Sequence, residues 1–144
     1  MLIEEITEYS SDVLDILEML LPQLSQSAAK PTEAYARKIV ESDSSRLLVA
    51  REGNVVYGMI TIVIFPIPTG VRSWIEDVVV DASGRGKGIG EALSKHALTL
   101  AKSEGAKTVD LTSRPSREAA NRLYKRVGFK LRETNVYRFD IDFG

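Results

Sequence analysis

The sequence contains no cysteine and a single histidine, His96. The lack of cysteine excludes disulfides, thiolate metal sites, iron–sulfur clusters and a cysteine nucleophile. A single histidine disfavours a His-rich zinc site and most charge-relay triads, so we expect no bound metal. His96 falls off the apolar stripe of its predicted helix and is expected at the surface.

A strong net charge and a membrane-spanning apolar run are also lacking. The 19 basic and 20 acidic residues give a net charge of −1, which excludes an obviously basic nucleic-acid-binding chain. Residues 54–71 carry no charge, but they contain two glycines, two prolines and many β-branched residues, a pattern typical of a buried strand and a turn. The N-terminus has no basic segment followed by an apolar one, so no signal peptide is predicted. We therefore expect a cytoplasmic protein with no membrane span and no nucleic-acid partner.

The overall composition is that of an ordinary globular chain. Its 144 residues are 44% hydrophobic and 27% charged, which suits one domain over residues 1–144. The charge is unevenly distributed: residues 1–45 hold nine acids and three bases, a net −6, and residues 46–144 hold 11 acids and 16 bases, a net +5.

Hydrophobic periodicity predicts the order β-α-α-β-β-β-α-β-α-β-β. This order indicates an α/β fold with a mixed sheet (α+β in character): a twisted, mostly antiparallel sheet of about seven strands with four helices, and one parallel crossover pair after Gly90. The predicted strands are 2–7, 46–51, 55–65, 72–81, 108–112, 129–133 and 136–142, and the predicted helices are 12–24, 31–41, 88–104 and 117–127.

A glycine-rich segment, Arg85-Gly86-Lys87-Gly88-Ile89-Gly90, lies between a β-branched strand and an amphipathic helix. Glycines let the backbone approach a ligand and direct successive N–H groups at it, and the helix N-terminus adds unpaired donors. Phosphate is the natural partner. The segment matches neither a P-loop, because Lys87 is followed by glycine, nor the Gly-x-Gly-x-x-Gly fingerprint of dinucleotide-binding folds.

These residues closely resemble motif A of the GNAT superfamily of N-acetyltransferases, Arg/Gln-x-x-Gly-x-Gly/Ala, through Arg85, Gly88 and Gly90. Residues 120–129 are similar to a second hallmark of that family, an Asn-x-x-Tyr helix that ends in Gly-Phe, and the element order agrees throughout. The N-terminal third matches in layout only. Many members carry a proline where this chain has Ala82, which we expect to have little consequence.

The resemblance implies acetyl-CoA as the acetyl donor. It places the pantetheine arm along one strand, the pyrophosphate on the glycine-rich amides, an asparagine beside the pantetheine and a tyrosine beside the thioester sulfur. In this sequence the strand positions are Val78, Val79 and Val80, the asparagine is Asn121 and the tyrosine is Tyr124. The glycine-rich amides are those of Arg85, Gly86, Lys87, Gly88, Ile89 and Gly90.

Transfer of an acetyl group to an amine requires a base and an acid. An ammonium must lose a proton before it attacks, and Glu76, expected on the same strand face as Val78 and Val80, is the candidate base, directly or through water. The departing thiolate needs a proton, and Tyr124 is the candidate acid. A backbone N–H near Val79 is expected to stabilise the oxyanion. The structural alternatives are a solvated strand carboxylate for Glu76 and an ordinary core tyrosine for Tyr124.

The sequence thus predicts an N-acetyltransferase that moves the acetyl group of acetyl-CoA directly onto a primary amine of a small molecule or protein. Direct attack agrees with the lack of cysteine. The alternative is a non-catalytic acyl-CoA-binding sensor or interaction module. RNA binding by the basic residues between 114 and 132 is less favoured, because no aromatic stacking platform accompanies them.

Three further expectations concern the acceptor and the assembly. Trp74 either lines the acceptor pocket or belongs to the core. The apolar strand 55–65 either contributes to a homodimer or lies buried at the centre of the sheet. The acidic first third is expected to border the acceptor, which should then be neutral or cationic.

Overall fold

The structure is a computed structural model that describes residues 1–141. It confirms a mixed α/β chain in which the predicted order holds as far as the fourth helix. The elements are β1 (Leu2–Ile6), α1 (Ser11–Leu24), α2 (Glu33–Val40), β2 (Ser45–Glu52), β3 (Val55–Ile67), β4 (Gly70–Val80), α3 (Ile89–Ser103), β5 (Val109–Asp110) and α4 (Glu118–Val127), with a short 3-10 turn at Ala82–Gly84.

The strands form one sheet whose spatial order follows the chain, β1-β2-β3-β4-β5. The first four strands pair antiparallel, and β5 pairs with β4 in parallel after the α3 crossover. The tight turn between β2 and β3 contains Gly53 at a φ of +60°, a conformation that glycine adopts without a steric penalty. Because β3 is the central strand, its apolar run is explained by burial inside the sheet.

Helices cover both faces of the sheet, so neighbouring strand residues are buried on opposite sides. In β2, Leu47 and Val49 belong to the core cluster that contains residues of α1 and α2, whereas Leu48 and Ala50 belong to the cluster that contains residues of α3. The α1 core comprises Val13, Ile16, Leu17, Leu20, Ala36, Val40, Leu47, Val49, Val56, Met59 and Val79. The α3 core comprises Leu48, Ala50, Ile60, Ile62, Ile64, Ile75, Ile89, Leu93, Ala97 and Ala101.

The C-terminal end of the sheet differs from the prediction. The sheet has five strands rather than about seven, because residues 129–133 and 136–141 form no strand, and Asp142 lies outside the described residues. The strand predicted at 108–112 is reduced to Val109–Asp110. A strand is stable only when its backbone groups pair with another edge, and sequence alternation does not specify that edge.

Candidate functional site

A one-residue bulge interrupts β4 at Asp77. Met59 pairs with Val79 and Thr61 pairs with Glu76, so β4 contains one more residue than β3 between these two pairs. Asp77 has a φ of +49° and is the only non-glycine residue with a positive φ in the described part of the chain. An inserted residue of this kind is not paired in the hydrogen-bonding ladder and bends its strand. Such bulges often lie beside functional sites.

The bulge reverses the alternation of side chains on either side of it. Val78 and Val80 pack against the α3 core, and Val79 belongs to the α1 core. Glu76 projects towards the α1 face, because its partner Thr61 alternates with residues of the α3 core. The prediction that Glu76 shares a face with Val78 and Val80 is therefore wrong, since period-two alternation does not survive an inserted residue.

Beyond its first residues, β4 separates from β5. The two strands pair only at Ser73–Val109 and Trp74–Asp110, and the Ser73 hydroxyl donates a 2.7 Å hydrogen bond to the carbonyl oxygen of Thr108. On the β5 side, residues 75–80 therefore have no strand partner in the described chain. Such an edge offers alternate N–H and C=O groups to an extended ligand that carries amides. The backbone of Val78, Val79 and Val80 lies on this edge.

The glycine-rich segment follows this edge and leads into α3. Gly86 and Gly88 have φ values of +78° and +76°, and a Cβ atom at either position would point into open space. The N–H groups of residues 86–90 donate no hydrogen bond within residues 1–141. Gly88 is the N-cap of the 15-residue helix α3. Free donors at a helix N-terminus bind anions, and the exposed side chains of Arg85 and Lys87 add positive charge.

The two other members of the segment have packing roles. Ile89 is 3% exposed and belongs to the α3 core, so only its backbone is available to a ligand. A Cβ atom at Gly90 would lie 3.3 Å from Cδ1 of Leu123, so glycine lets α4 approach the start of α3. The residues present therefore fit a ligand that combines an extended amide arm with a diphosphate.

A set of hydrogen bonds, which we call the clamp, joins α1 to the turn between β4 and the glycine-rich segment and was not foreseen from the sequence. The Gln23 amide donates to Asp81 at 2.6 Å and accepts from the backbone N–H of Ala82 at 3.1 Å. Asp81 also accepts from the backbone and hydroxyl of Ser83. These hydrogen bonds, led by those from Ser83 and Gln23, lower the pKa of Asp81 from 3.8 to about 2. The Asp-x-Ser turn is a recognisable sequence signal, whereas the contact with Gln23 is not.

Tyr124 lies in α4 with only 9% of its surface exposed. Its ring meets Phe129 edge-to-face at a centroid distance of 5.7 Å. Burial raises the pKa of Tyr124 above its ordinary value of 10.0, and the positive charge of Arg117 opposes part of that effect. The phenol is therefore protonated at neutral pH. The phenol can donate this proton to an anion that is more basic or that forms during a reaction.

Asn121 lies one helical turn before Tyr124. Its Nδ2 donates hydrogen bonds of 2.9 Å to the carbonyl oxygens of Arg114 and Arg117. The amide donors therefore order the entrance to α4, and the Oδ1 acceptor remains available to a ligand N–H.

Tyr124 and Asn121 line a groove, which we call the β5 groove. It lies beside the edge of β5 that pairs with no strand within residues 1–141. Its volume is about 900 Å³. The wall also includes Trp74 and Ser113, and the Oγ of Ser113 is buried without a hydrogen-bond partner among the described residues. The structure thus brings Trp74, Asn121 and Tyr124 together, whereas Glu76 is exposed and does not line this groove.

The remaining expectations concern metals and membranes. His96 is exposed, as predicted. Within residues 1–141, no cluster of three or more His, Cys, Asp or Glu side chains could hold a metal ion. None of the helices in the described chain has the length and apolar character needed to cross a membrane.

Comparison with known proteins extends these observations. The sequence profile of the Acetyltransferase (GNAT) family matches residues 13–129. No curated protein sequence matches the chain significantly.

Solved structures resemble the chain over nearly its whole length. A transcriptional regulator from Bacillus halodurans C-125 shares 25% identity over 96% of this chain and 100% of its own, with a TM-score of 0.80. An aminoglycoside acetyltransferase from an uncultured soil metagenomic sample, in complex with sisomicin, shares 17% identity over 97% and 95%, with a TM-score of 0.84. The aminoglycoside N-acetyltransferase AAC(6′)-Iy in complex with CoA shares 16% identity over 96% and 93%, with a TM-score of 0.80.

The last two similarities lie below 25% identity and establish the fold alone. The family profile extends from α1 through Phe129 and so includes the bulged strand, the glycine-rich segment and the Asn121–Tyr124 helix. The chain belongs to the acetyltransferase (GNAT) family.

Proposed function

We propose that this protein transfers the acetyl group of acetyl-CoA directly to a primary amine through a tetrahedral intermediate. The observation that carries the proposal is the open edge of β4, which runs straight into the unpaired N–H groups of residues 86–90. An extended pantetheine arm suits the first feature and a diphosphate suits the second. When bound, acetyl-CoA supplies an acetyl group activated as a thioester.

Residues of the separated strand and the loop hold the donor. The backbone of Val78, Val79 and Val80 pairs with the pantetheine amides, and an N–H near Val79 stabilises the oxyanion. The amides of Arg85, Gly86, Lys87, Gly88, Ile89 and Gly90 bind the pyrophosphate, and Asn121 presents its Oδ1 to the pantetheine side.

Two side chains move protons in this proposal. Tyr124 protonates the departing thiolate, and its place beside Asn121 in the wall of the β5 groove supports this role. Glu76 accepts the proton of the ammonium, directly or through water. Its exposure on the α1 face supports a base that meets an incoming acceptor.

The acceptor that suits this site is a small-molecule or protein amine that is neutral or cationic overall. The helices that cover the α1 face, to which Glu76 projects, belong to the acidic first third of the chain. Four of its acids form ion pairs: Glu4, Glu5, Asp12 and Glu33. Five have no ion pair within the described residues: Glu8, Asp15, Glu18, Glu41 and Asp43. The aminoglycoside substrates named for two similar structures are amine-bearing small molecules and support this class.

The test combines acetyl-CoA binding with turnover of the Tyr124→Phe variant. Loss of a general acid lowers kcat by roughly 10²–10⁴-fold, and acetyl-CoA affinity should remain within about twofold, because the ring still packs on Phe129. Thiol release across a panel of amines measures turnover, and calorimetry measures binding. Tyr35→Phe is the matched control, since Tyr35 is 60% exposed on α2. Equal turnover for Tyr124→Phe and the wild type would exclude Tyr124 as the acid.

A non-catalytic acyl-CoA sensor is the second candidate. It is favoured by the likeness to the Bacillus halodurans transcriptional regulator at 25% identity. A sensor keeps the glycine-rich segment but needs neither Glu76 nor Tyr124. Tight acetyl-CoA binding without acetylation of any amine in the panel would establish it instead.

We further propose that residues 1–144 act as one cytoplasmic domain without a nucleic-acid partner. The basic residues near α4 support the lack of a nucleic-acid partner, because two of them form ion pairs within the protein. Arg126 pairs with Glu91 at 3.4 Å, and Arg132 lies 3.9 Å from Asp110. A nucleic-acid surface would need these charges free for phosphates.

A further inference from the structure

The Gln23 side chain joins the last turn of α1 to the turn that leads from β4 into the glycine-rich segment. Its amide nitrogen donates to Oδ1 of Asp81 at 2.6 Å and to the carbonyl oxygen of Met19 at 3.3 Å. Its amide oxygen accepts from the backbone N–H of Ala82 at 3.1 Å. A carboxamide supplies a donor and an acceptor at one position, whereas a carboxylate or an apolar side chain does not. Glutamine therefore suits both halves of this contact.

The backbone N–H groups on either side of Arg85 differ in how they are used. Those of residues 81–85 all donate within the protein. Their acceptors are, in chain order, the Tyr57 carbonyl, the Gln23 amide, the Asp81 carboxylate, the Asp81 carbonyl and the Ala82 carbonyl, at 2.8, 3.1, 3.0, 2.8 and 3.4 Å. The N–H groups of residues 86–90 donate no hydrogen bond within residues 1–141. The bonded donors therefore end where the proposed diphosphate site begins.

Gln23 holds the middle of the turn. At one end of the turn, Asp81 is tied to the central strand β3 through its own N–H. At the other end, Gly84 is buried, and a Cβ atom there would lie 2.8 Å from Cδ1 of Ile89. Ala82 and Ser83 lie exposed between these two ends. The N–H of Ala82 is thus fixed by a side chain from a different element, the helix α1.

The helix α1 gives Gln23 a firm support. Leu20 is fully buried, and Leu24 packs against the same core cluster. Val79, two residues before Asp81, also belongs to that cluster. The end of α1 and the end of β4 therefore share one packed core, beside which Gln23 adds a polar contact. Polar groups carried by packed helices hold their partners more precisely than groups carried by loops.

We propose that Gln23 is a positioning residue of the donor site: through Asp81 and Ala82 it sets the direction in which the free N–H groups of residues 86–90 leave the turn, and it thereby favours acyl donors that carry a diphosphate. The inference rests on the proposed function, because it takes the diphosphate of CoA as the ligand of these N–H groups. A loop that is already ordered loses less conformational entropy when it binds its ligand. Without the Gln23 contacts the same N–H groups remain, but their directions are less restricted.

The alternative role for Gln23 is to secure the last turn of α1 through its hydrogen bond to Met19. The two roles differ in what a substitution changes. Loss of a contact within α1 affects the stability of the protein and its use of every acyl donor alike. Loss of order in the turn affects only those acyl donors that carry a diphosphate.

The variant Gln23→Met separates these roles, because methionine has a similar length and helix propensity but no strong hydrogen-bonding group. We expect the dissociation constant of CoA, measured by calorimetry, to rise by roughly 3–10-fold, as for the net loss of one or two hydrogen bonds. KM for acetyl-CoA should rise by a similar factor while kcat is unchanged, the pattern for an interaction that is equally strong in the ground and transition states. S-acetylpantetheine has the same arm and thioester but no diphosphate. Its kcat/KM in the thiol-release assay should stay within about twofold of the wild-type value.

Gln26→Met is the matched control, because it makes the same substitution at an exposed position in the loop after α1. This variant should bind CoA as the wild type does. The Tm of Gln23→Met should stay close to that of the wild type, since Gln23 is itself exposed. The calorimetric arm requires no acetyl transfer, so it remains informative even if the candidate base and acid are wrongly assigned.

The outcomes distinguish this inference from the function on which it rests. Wild-type affinity for CoA in Gln23→Met would overturn the positioning role alone. An equal loss with S-acetylpantetheine, or an equal loss in Gln26→Met, would also overturn it and would indicate a general effect on α1. If the wild type itself binds no CoA, the proposed function fails and the positioning role fails with it.

Discussion

Alanine at Gly88 should weaken acetyl-CoA binding without removing any side-chain contact. Gly88 has a φ of +76°, and a Cβ atom there would meet nothing within 4 Å, so the substitution adds conformational strain and no clash. A left-handed conformation costs an L-residue about 1–2 kcal/mol. Because the segment is exposed, the free protein can relieve this strain by relaxing the loop. Binding must then restore the original φ.

If the whole strain is restored on binding, the dissociation constant of acetyl-CoA should rise by about 5–30-fold, the equivalent of one to two kcal/mol. Gly86→Ala, at a φ of +78° and in equally open space, should behave in the same way. Titration calorimetry measures the dissociation constant, and thermal unfolding measures the cost in stability.

Gly105→Ala provides the matched control. Gly105 has a φ of +82° and open space around it, but it follows the C-terminus of α3, at the opposite end of that helix from Gly88. Gly105→Ala should lose roughly 3–8 °C in Tm for a chain of this size. The two loop variants should lose less stability, because the relaxed loop relieves the strain in the free protein. Only the two loop variants should lose affinity. Wild-type affinity in Gly88→Ala, or an equal loss in Gly105→Ala, would refute the assignment of residues 85–90 to the diphosphate.

Three other predictions concern the base, the clamp and the core. Glu76→Gln should lower kcat/KM more than Asp77→Asn does, and equal values in the thiol-release assay would remove Glu76 as the base. The lowered pKa of Asp81 means that its carboxylate stabilises the fold above pH about 4 and loses this effect as the pH falls towards about 2. The Tm difference between Asp81→Asn and the wild type should therefore shrink across that range, whereas a constant difference would contradict the clamp. Leu93→Ala, at a fully buried position, should cost about 2–5 kcal/mol of unfolding free energy in urea titrations.

Local patterns in the sequence predicted most of the fold. The four helices and the first four strands follow from apolar periodicity, because burial on one face repeats at the period of each element. The β2–β3 hairpin follows from Gly53 and Asn54, since a tight turn needs a positive φ. The glycine-rich segment was recognised for the same reason, and its N–H groups at residues 86–90 donate no hydrogen bond within residues 1–141.

Strand register and contacts between distant parts of the chain could not be predicted from the sequence. The bulge at Asp77 depends on how β4 pairs with β3, and it moved Glu76 to the opposite face from Val78 and Val80. The hydrogen bond between Gln23 and Asp81 joins residues 58 positions apart in the chain. No local pattern encodes either feature, because each arises only when separate elements meet.

The sequence by itself determined the chemistry that is possible: no thiol chemistry, a glycine-rich turn that suits phosphate before a helix, and a tyrosine one turn after an asparagine. The tertiary structure decided where that chemistry can occur. It separates β4 from β5 after Trp74, and it leaves residues 136–141 without a strand partner within the described chain. The physical reason is that helices and turns satisfy their hydrogen bonds locally, whereas the backbone of a strand is satisfied only by another edge.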